Sequence, residues 1–580
     1  MSSTYLIKPY LKRNWHLLLL GFLSLVLVDL LQLIIPRILK SVIDDLTIFS
    51  VDSVQLFHYA GWLVIIALFI AGFRYVWRSC LSSTSRLVEE GLRNRLFSHL
   101  LTLSPAYYNR TKTGDLMAHS TNDLMHIRMA MGMGLVALID SVVLGITAIG
   151  FMVYINVNLT LFALIPMPLI IISAKVFSRR MHHMYGKVQA SFSDLTEAAR
   201  ERFAGIRIIK AYSLHEDERE AFSEISEEYI SKNMGLVRIT GAFNPMMMFF
   251  TNLSLCFVVY LGGHQTIGRT ITPGDFVAFI SYLALLTWPM MAIGWLINLI
   301  QRGAASLDRI DRILQTQPDI DDSPGALAMS DIKGDIKFDQ VLFSYNSYSQ
   351  PALDRISFSI PAGGTFGIVG PPGSGKTSLL YLIPRMFEVT DGTILVDCKD
   401  IRSMRLDDLR SHISFAPQEP YLFSGTIREN ITFNDPSIRE DDLMQAVEDA
   451  CLYETVQSFA NGFDTHVGEK GVALSGGQKQ RIGLARALIR KNPILILDDP
   501  ISQVDAETGD RIVEAIESRA GERTVIIVSH RLSAVHHADN ILVLEKGKIV
   551  ESGNHSELMD MKKYYARTYR LQELEEKYNV

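Results

Sequence analysis

The chain has 580 residues, enough for several domains; 48% of them are hydrophobic and only 20% are charged. So apolar a composition argues against a wholly soluble protein, and the net charge of −6 gives no sign of a nucleic-acid partner. The four cysteines lie far apart without a metal-ligand spacing, which favours reduced thiols with no structural role.

The first half of the chain predicts a membrane domain. After a short basic segment expected at the membrane interface, six stretches reach the roughly 20 mostly apolar residues that a helical span needs. We place them at 15–36, 58–78, 131–154, 157–178, 243–263 and 275–300. After residue 305 short apolar strands alternate with helical patterns. We therefore expect a transmembrane domain over 1–305, a linker over 306–334 and a soluble domain over 335–580.

Lysine and arginine are concentrated between spans two and three and between spans four and five, whereas the connections "INVN" and "GGHQTIGRTITPGD" carry none and one. Because cytoplasmic connections are enriched in these cations, we expect both basic segments, both termini and the soluble domain in the cytoplasm. Apolar residues recur every three or four positions in 77–103 and 179–232. This spacing predicts long cytoplasmic helix extensions that end in coupling turns near 104–116 and 204–218.

Three charged residues fall within or next to the predicted spans: Asp29, Asp140 and, near the inner end of span two, Arg74. A charge inside a membrane is costly, so such residues are candidates for a functional role. The alternative is that they line a wet cavity or pair between helices for structural reasons. The sequence does not decide between these interpretations.

The segment "FGIVGPPGSGKTSLL" (366–380) matches G-x-x-x-x-G-K-[ST] and joins an apolar strand to a helix, as that motif requires. Its glycines allow backbone N–H groups to wrap phosphate oxygens, and the helix N-terminus adds a favourable field. We expect Lys376 to neutralise phosphate charge and the Thr377 hydroxyl to bind Mg²⁺. The predicted nucleotide-binding residues of this loop are Gly370, Pro371, Pro372, Gly373, Ser374, Gly375, Lys376, Thr377 and Ser378.

A second apolar run, "ILILDD" (494–499), predicts a strand whose terminal Asp498 holds Mg²⁺. Between the two strands, "LSGGQ" (474–478) opens a helix and offers a second anion-binding N-terminus. One chain does not need two phosphate-binding sites for one nucleotide, so we expect two chains arranged head to tail, each completing the other's site. The residues predicted to contact nucleotide here are Ser475, Gly476, Gly477 and Gln478.

With these motifs in this order, the chain resembles a half-size ABC exporter, a transmembrane domain fused to an ATPase, over essentially its whole length. Tyr345 stands at the position whose ring stacks on adenine, and Gln418 at the Q-loop position, which senses Mg²⁺ or water. Asp505 ends the D-loop segment "SQVD", and His530 stands at the switch position near the γ-phosphate. The segment "THVGEKG" (465–471) resembles the exporter cross-talk segment.

The resemblance implies an N-terminal six-helix transmembrane domain with long cytoplasmic helix extensions and a C-terminal α/β P-loop ATPase domain of ABC type. It implies ATP and Mg²⁺ as cofactors, with Thr377, Gln418 and Asp498 as metal ligands and Asp499, His530 and Gln418 as catalytic residues. It further implies a second half-transporter, membrane lipids and an amphipathic small molecule as partners, and the bacterial cytoplasmic (inner) membrane as the location. ATP binding would then close two nucleotide domains and move the coupling turns.

Asp499 departs from the resembled family, which usually carries glutamate at this position to orient the attacking water. The aspartate carboxylate sits back by one C–C bond, roughly 1.5 Å, and a misplacement of about 1 Å can cost on the order of 10²-fold in rate. We therefore predict slow hydrolysis at the site built on this chain's phosphate loop. A heterodimer with one weak and one competent site is favoured, because the other motifs are intact; a homodimer that tolerates aspartate is the alternative.

The favoured function is multidrug-type efflux of amphipathic small molecules by an ATPase coupled to transmembrane transport. A lipid flippase is the main alternative. An ATP-gated regulator or channel is a third, since Asp499 makes nucleotide binding more prominent than turnover. The sequence does not name the substrate, because the specificity of a wide cavity is spread over many apolar side chains.

Overall fold

The structure, a computed structural model, describes residues 2–50, 52–345, 350–468, 474–519 and 521–578. Its contacts divide the chain into two compact units, Met1–Leu101 with Thr113–Thr316, and Thr102–Lys112 with Gln317–Val580. The described part of the first unit is helical, and that of the second combines helices with β-sheets.

Within the described residues, six helices of the first half are long and apolar enough to cross a membrane. They are α1 (Trp15–Thr47), α2 (Ser53–Thr102), α3 (Thr113–Ile155), α4 (Val157–Ala204), α5 (His215–Ile267) and α6 (Pro273–Gln315). Each contains one predicted span, which confirms the six-helix transmembrane fold. Helix α4 is interrupted just before Met167, because Pro166 lacks an N–H group for the helical ladder.

Three of these helices run far beyond their apolar stretches. Helix α2 continues to Thr102, α4 continues to Ala204 and α5 begins at His215. The helix extensions expected from the three- and four-residue spacing are therefore present. Each of the two predicted turns contains a short helix, Pro105–Arg110 in the first and Ile206–Ala211 in the second.

Helix α6 continues to Gln315, into the segment that we predicted as linker from residue 306. The reason is a continued helical periodicity: Leu307, Ile310 and Ile313 follow at three-residue spacing, and all three are buried. The apolar face of α6 thus extends past the end of its apolar span, and the boundary between the two units follows at Thr316.

The basic N-terminal segment packs against three of the long helices. Leu6 and Ile7 are buried in a cluster with residues of α2, α3 and α6. The Ser3 hydroxyl donates to Asp308 Oδ1 at 2.6 Å, and the Tyr5 hydroxyl donates to Asp311 Oδ1 at 2.5 Å. The segment predicted at the membrane interface is therefore also tied to α6 by two side-chain hydrogen bonds.

The charged residues predicted within spans come from three helices and meet. Asp29 of α1 is buried, and its side chain interacts with Asp140 of α3. Arg74 of α2 contributes an opposing charge to the same group. Within the described residues, Asp29 Oδ2 has no hydrogen-bond partner. The structure thus brings the three charges near one another, an arrangement that both interpretations allow.

The second unit contains twelve strands within its described residues: β1 Ile336–Phe343, β2 Leu353–Ile360, β3 Thr365–Val369, β4 Asp391–Val396, β5 Lys399–Asp400, β6 Ile413–Ala416, β7 Gly425–Thr426, β8 His466–Val467, β9 Ile494–Asp498, β10 Thr524–Val528, β11 Asn540–Glu545 and β12 Lys548–Gly553. Its α-helices are α7 Lys376–Leu382, α8 Leu406–Ser411, α9 Ile427–Thr432, α10 Glu440–Asp449, α11 Tyr453–Ser458, α12 Gly476–Leu488, α13 Ala506–Glu517, α14 His555–Met561 and α15 Tyr564–Tyr578.

The central sheet of this unit has the strand order β12-β11-β3-β10-β9-β6, and β11, β3, β10, β9 and β6 run parallel. Strands β3, β9 and β10 are buried along their whole length, which explains their continuous apolar sequences. Parallel strands end at a common edge of the sheet, where ligands of open α/β folds bind. That edge collects the segments that follow β3, β10, β9 and β6. A separate antiparallel sheet has the order β2-β1-β4-β5.

Candidate functional site

The loop after β3 is shaped by glycines that no other residue could replace without strain. A Cβ at Gly370 would lie 2.1 Å from Leu544 O, and a Cβ at Gly375 would lie 2.5 Å from Ala352 O. Gly375 also has a φ of 102°, a left-handed conformation that side chains disfavour. The loop therefore packs closely on its neighbours and turns directly into α7, as a phosphate-binding loop requires.

Lys376 begins α7 and is buried beneath the loop. Its ammonium group donates to the carbonyl oxygens of Gly370 at 2.8 Å and Pro371 at 3.0 Å. Burial lowers the pKa of Lys376, while the charges of Asp498 and Asp499 act in the opposite direction. The predicted phosphate ligand therefore lies in the electrostatic field of both strand-ending acids.

Asp498, the last residue of β9, is buried beside the phosphate loop. Its carboxylate accepts a hydrogen bond from Thr377, and Oδ2 has no partner within the described residues. Burial raises the pKa of Asp498 to about 6. The Thr377 hydrogen bond lowers this pKa, the Asp499 charge raises it and the Lys376 charge lowers it. A buried acid with a spare oxygen beside a threonine hydroxyl fits a small divalent cation such as Mg²⁺.

Asp499 is also buried, with a φ of 54° that is unusual for a residue with a side chain. Its N–H donates to Val528 O at 2.7 Å, so the residue after β9 is tied to the end of β10. Its carboxylate Oδ1 accepts from Ser529 Oγ at 3.1 Å and from His530 N at 3.4 Å. The shorter acid is thus held by donors of its own chain.

His530 follows β10 at the same sheet edge, and its side chain is exposed. Partial enclosure by protein atoms lowers the pKa of His530, the Lys376 charge lowers it further, and Asp499 acts against both. A neutral imidazole at neutral pH can donate one hydrogen bond and accept another. The structure therefore brings residues 529–532, the histidine segment, to one place with Asp499 and the phosphate loop.

The flat ring of Tyr345 lies next to the phosphate-loop helix. Its hydroxyl bonds to Ser378 Oγ at 2.9 Å, and its ring contacts Phe343 and Phe387 edge-on with centroids 4.8 and 5.2 Å away. The ring is 42% exposed, so one part of it is free to stack on a planar base. Gln418 is exposed two residues beyond β6, which pairs with β9, and thus belongs to the same sheet edge.

The residues of the LSGGQ segment (474–478), called the signature from here on, form a second group at the start of α12. Ser475 caps this helix: its Oγ accepts from Gln478 N at 3.3 Å, while Gln478 Oε1 accepts from Ser475 N at 2.9 Å. A Cβ on Gly476 would lie 2.0 Å from Gln503 Oε1, and a Cβ on Gly477 would lie 2.5 Å from Gln503 O. The signature glycines thus let the D-loop approach closely.

Asp505 caps α13 by accepting from Thr508 N at 3.2 Å. A hydrogen bond from the Thr508 side chain, and then this backbone bond, lower the pKa of the exposed Asp505 carboxyl. The predicted cross-talk segment begins in strand β8, which pairs with β7, and its residues 469–471 lie outside the described residues.

Sequence reasoning missed three residues that organise these groups. Gln480 of α12 is buried and donates to Asp499 O at 2.6 Å and Ser502 Oγ at 2.9 Å, while its Oε1 accepts from Gln503 N at 2.9 Å. Ser529 bonds to Asp499, and Gln572 of α15 bonds to the histidine segment. For Gln480 the sequence did offer a signal, a glutamine three and four residues after the two glycines of LSGGQ and so on the same helix face. No comparable pattern indicated Ser529 or Gln572.

Two family models match the chain: "ABC transporter transmembrane region" over residues 18–290 and "ABC transporter" over 353–502. The chain is 36% identical to the probable multidrug resistance ABC transporter ATP-binding/permease protein YheI of Bacillus subtilis, over 97% of each chain. It is 35% identical to the multidrug resistance-like ATP-binding protein MdlA of Escherichia coli, over 98% of this chain and 96% of that one.

A further relative is the ATP-dependent lipid A-core flippase of Desulfotalea psychrophila, 32% identical over 88% of this chain and 89% of that one. Among solved structures, a bacterial Atm1-family ABC exporter with ATP bound has the same fold, with a TM-score of 0.79 over 97% of this chain and 99% of that one, at 24% identity. The chain belongs to the ABC transporter family, as an exporter with its transmembrane region and its ATP- and Mg²⁺-using ATPase in one polypeptide.

Proposed function

We propose that this chain drives ATP-dependent efflux of amphipathic small molecules across a bacterial cytoplasmic membrane, as one half of an asymmetric pair in which its own ATP site hydrolyses slowly. The observation that carries the asymmetry is that the Asp499 carboxylate accepts hydrogen bonds from Ser529 and His530 of its own chain. The proposal puts both termini and the ATPase domain in the cytoplasm, because cytoplasmic connections are enriched in lysine and arginine and two connections of this chain are strongly basic.

In this proposal the phosphate loop and Lys376 bind the ATP phosphates, and the exposed ring of Tyr345 stacks on adenine. Thr377, Asp498 and Gln418 hold Mg²⁺, which neutralises phosphate charge when bound. The metal assignment is supported by Asp498 Oδ2, which no hydrogen-bond donor in the described part of the chain reaches. The lowered pKa of His530 favours a neutral ring at physiological pH, and the N–H of that ring donates a hydrogen bond to the terminal phosphate.

Slow hydrolysis follows from how the chain holds Asp499. A water-orienting acid must reach into the space between the phosphate and the water, and a shortfall of about 1 Å costs on the order of 10²-fold. The Asp499 carboxylate instead accepts from Ser529 and His530, and its backbone is tied to Val528 and Gln480. Those bonds hold the short side chain close to its own β10 edge.

The intact signature of this chain supports pairing with a second half-transporter that carries a competent site. Ser475 and the N-terminus of α12 present an ordered, capped anion-binding site. Because the D-loop packs on both signature glycines, this surface is already organised within one chain. In a head-to-tail pair it completes the site of the partner, and a homodimer is the alternative arrangement.

Transport itself is the direct test of the efflux proposal. Inverted membrane vesicles that contain the assembled transporter are expected to accumulate an amphipathic dye with ATP and Mg²⁺. The same vesicles should accumulate none with a non-hydrolysable ATP analogue, because turnover resets the membrane domain. Flux that persists with the analogue would instead identify an ATP-gated channel or regulator.

Lipid export is a second candidate, favoured by the similarity to the lipid A-core flippase. Stimulation of ATPase activity over matched panels of amphipathic drugs and lipids separates the two. The efflux proposal predicts stimulation by several chemically unrelated drugs at concentrations that leave the bilayer intact. Stimulation confined to one lipid class would replace efflux by lipid translocation.

We expect the pH dependence of Mg²⁺ binding to report Asp498. Because burial raises the pKa of Asp498 to about 6, the metal-free site holds a proton below that pH, and the cation must displace it. The apparent Mg²⁺ affinity should therefore fall about tenfold per pH unit as the pH drops below 6. An acid with an ordinary pKa of about 3.9 would show this fall only near pH 4.

The measurement is a fluorescence titration of Mg²⁺-dependent ATP binding to the purified full-length chain between pH 5 and pH 8. The pH effect on the affinity of free ATP for Mg²⁺ is measured in parallel and subtracted. The Asp498→Asn variant is the control, and its remaining Mg²⁺ dependence should be weak and flat. An affinity of the unmodified chain that stays constant down to pH 5 would show that Asp498 is already ionised.

A further inference from the structure

We propose that Gln572, in the C-terminal helix α15, is a positioning residue that holds the histidine segment of the ATP site. The inference rests on the proposed role of His530 at the terminal phosphate. Gln572 lies 42 residues after His530 in the chain and is not itself part of any of the sequence motifs. Its position beside the histidine is therefore a product of the tertiary fold alone.

The side-chain amide of Gln572 forms hydrogen bonds to the histidine segment through both of its polar atoms. Its Nε2 donates to His530 O at 2.8 Å, and its Oε1 accepts from Leu532 N at 2.8 Å. The two atoms of one planar amide have a fixed separation, so they define the distance and orientation of the two backbone groups. The peptide groups on both sides of Arg531 are thereby fixed.

The start of the same segment is held by a different anchor. Asp499 Oδ1 accepts from Ser529 Oγ and from His530 N, and the Arg531 side chain donates to Val504 O at 3.1 Å. Gln572 adds the bond to the His530 carbonyl, on the other side of that residue's Cα. The backbone that aims the His530 ring is thus held before it by Asp499 and after it by Gln572.

Helix α15 is attached to the ATPase unit independently of Gln572. Tyr565 and Ala566 are buried, and Glu551 accepts from the N–H groups of Tyr564 at 2.8 Å and Tyr565 at 3.4 Å. The Tyr565 hydroxyl also bonds to His555 Nδ1 at 2.8 Å. Because Gln572 is only half-buried and lies two turns beyond Tyr564 and Tyr565, its substitution leaves this anchorage in place.

Loss of the Gln572 bonds should therefore act on the aim of the His530 ring and leave nucleotide binding almost unchanged. The proposed ATP contacts are made by other segments, since the phosphate loop follows β3 and Tyr345 follows β1. A loosened ring lowers the rate of a step that depends on alignment, and a shift of about 1 Å can cost up to about 10²-fold. The expected signature is a lower kcat at a nearly constant KM for ATP.

The test measures ATPase kinetics of the purified full-length chain carrying Asp499→Glu, a background in which its own site is expected to turn over measurably. Gln572→Leu should lower kcat about tenfold and change KM for ATP by less than about twofold. Gln572→Glu keeps the acceptor for Leu532 N–H and loses the donor to His530, so its loss should be smaller. Glu575→Gln, an exposed change on the same helix, is the matched control and should have no effect.

A double-mutant cycle with His530→Ala identifies the route of the effect. If Gln572 acts through the histidine, Gln572→Leu causes no further loss once His530 is alanine. An equal, additive loss in that background, or a parallel rise in KM, would show a general structural role and overturn the inference. If His530→Ala alone leaves turnover unchanged, the proposed role of the histidine fails. The Gln572 inference fails with it, because it acts through that histidine.

Discussion

Lengthening a single side chain, by Asp499→Glu, is expected to raise ATP turnover at this chain's own site by at least about tenfold. The added methylene moves the carboxylate outward by roughly 1.5 Å, beyond the donors that now hold it. Those donors are Ser529 Oγ and His530 N, at 3.1 and 3.4 Å from Asp499 Oδ1. The backbone anchors at Val528 and Gln480 do not involve the side chain and should remain.

The gain is measured as steady-state ATPase of the chain purified without a partner, with Asp510→Glu as control. Asp510 is an exposed aspartate in α13, so the same chemical change there should have no effect. Two results would contradict the proposal. One is an unchanged rate in Asp499→Glu; the other is robust ATPase of the unmodified chain that Asp499→Asn abolishes, which would mean that aspartate already serves as the catalytic acid.

The second large effect is expected at the signature. Gly477→Ala should lower the ATPase rate of the assembled pair more than about 100-fold. The new Cβ would lie 2.5 Å from the backbone oxygen of Gln503, so the helix N-terminus or the D-loop must move. In the proposed asymmetric pair this surface would complete the competent site of the partner. Lys376→Ala would then disable only the slow site and should cost far less than the matching change in the partner.

Two further variants keep this comparison interpretable. Ser475→Ala removes the helix cap without adding an atom, so it tests the signature without a clash. Gly509→Ala is the matched glycine control, because its Cβ would meet Ile501 only at ordinary contact distances of 3.6 Å and more. Equal losses from Lys376→Ala and Gly477→Ala in this chain would show two equivalent sites and favour a homodimer.

Sequence patterns predicted local structure well because the membrane and the buried sheet both impose strong patterns. Spans must be long and apolar, so each of the six predicted stretches lies inside one observed helix. Strands β3 and β9 are buried on both faces and read as continuous apolar runs. The end of α6 was missed, because the apolar face that continues through Leu307 and Ile310 is amphipathic and lacks a span's composition.

The sequence by itself determined the chemistry of the ATP site, because the glycine loop, Asp498 at the strand end and the aspartate in place of glutamate at position 499 are all local features. Only the tertiary structure decided which partners hold them. Gln480 and Gln572 reach Asp499 and His530 across 19 and 42 residues of chain. The physical reason is that the sheet order β12-β11-β3-β10-β9-β6 does not follow the order of strands in the chain. Contacts made across such crossovers depend on how helices pack on the sheet, which no local pattern of residues records.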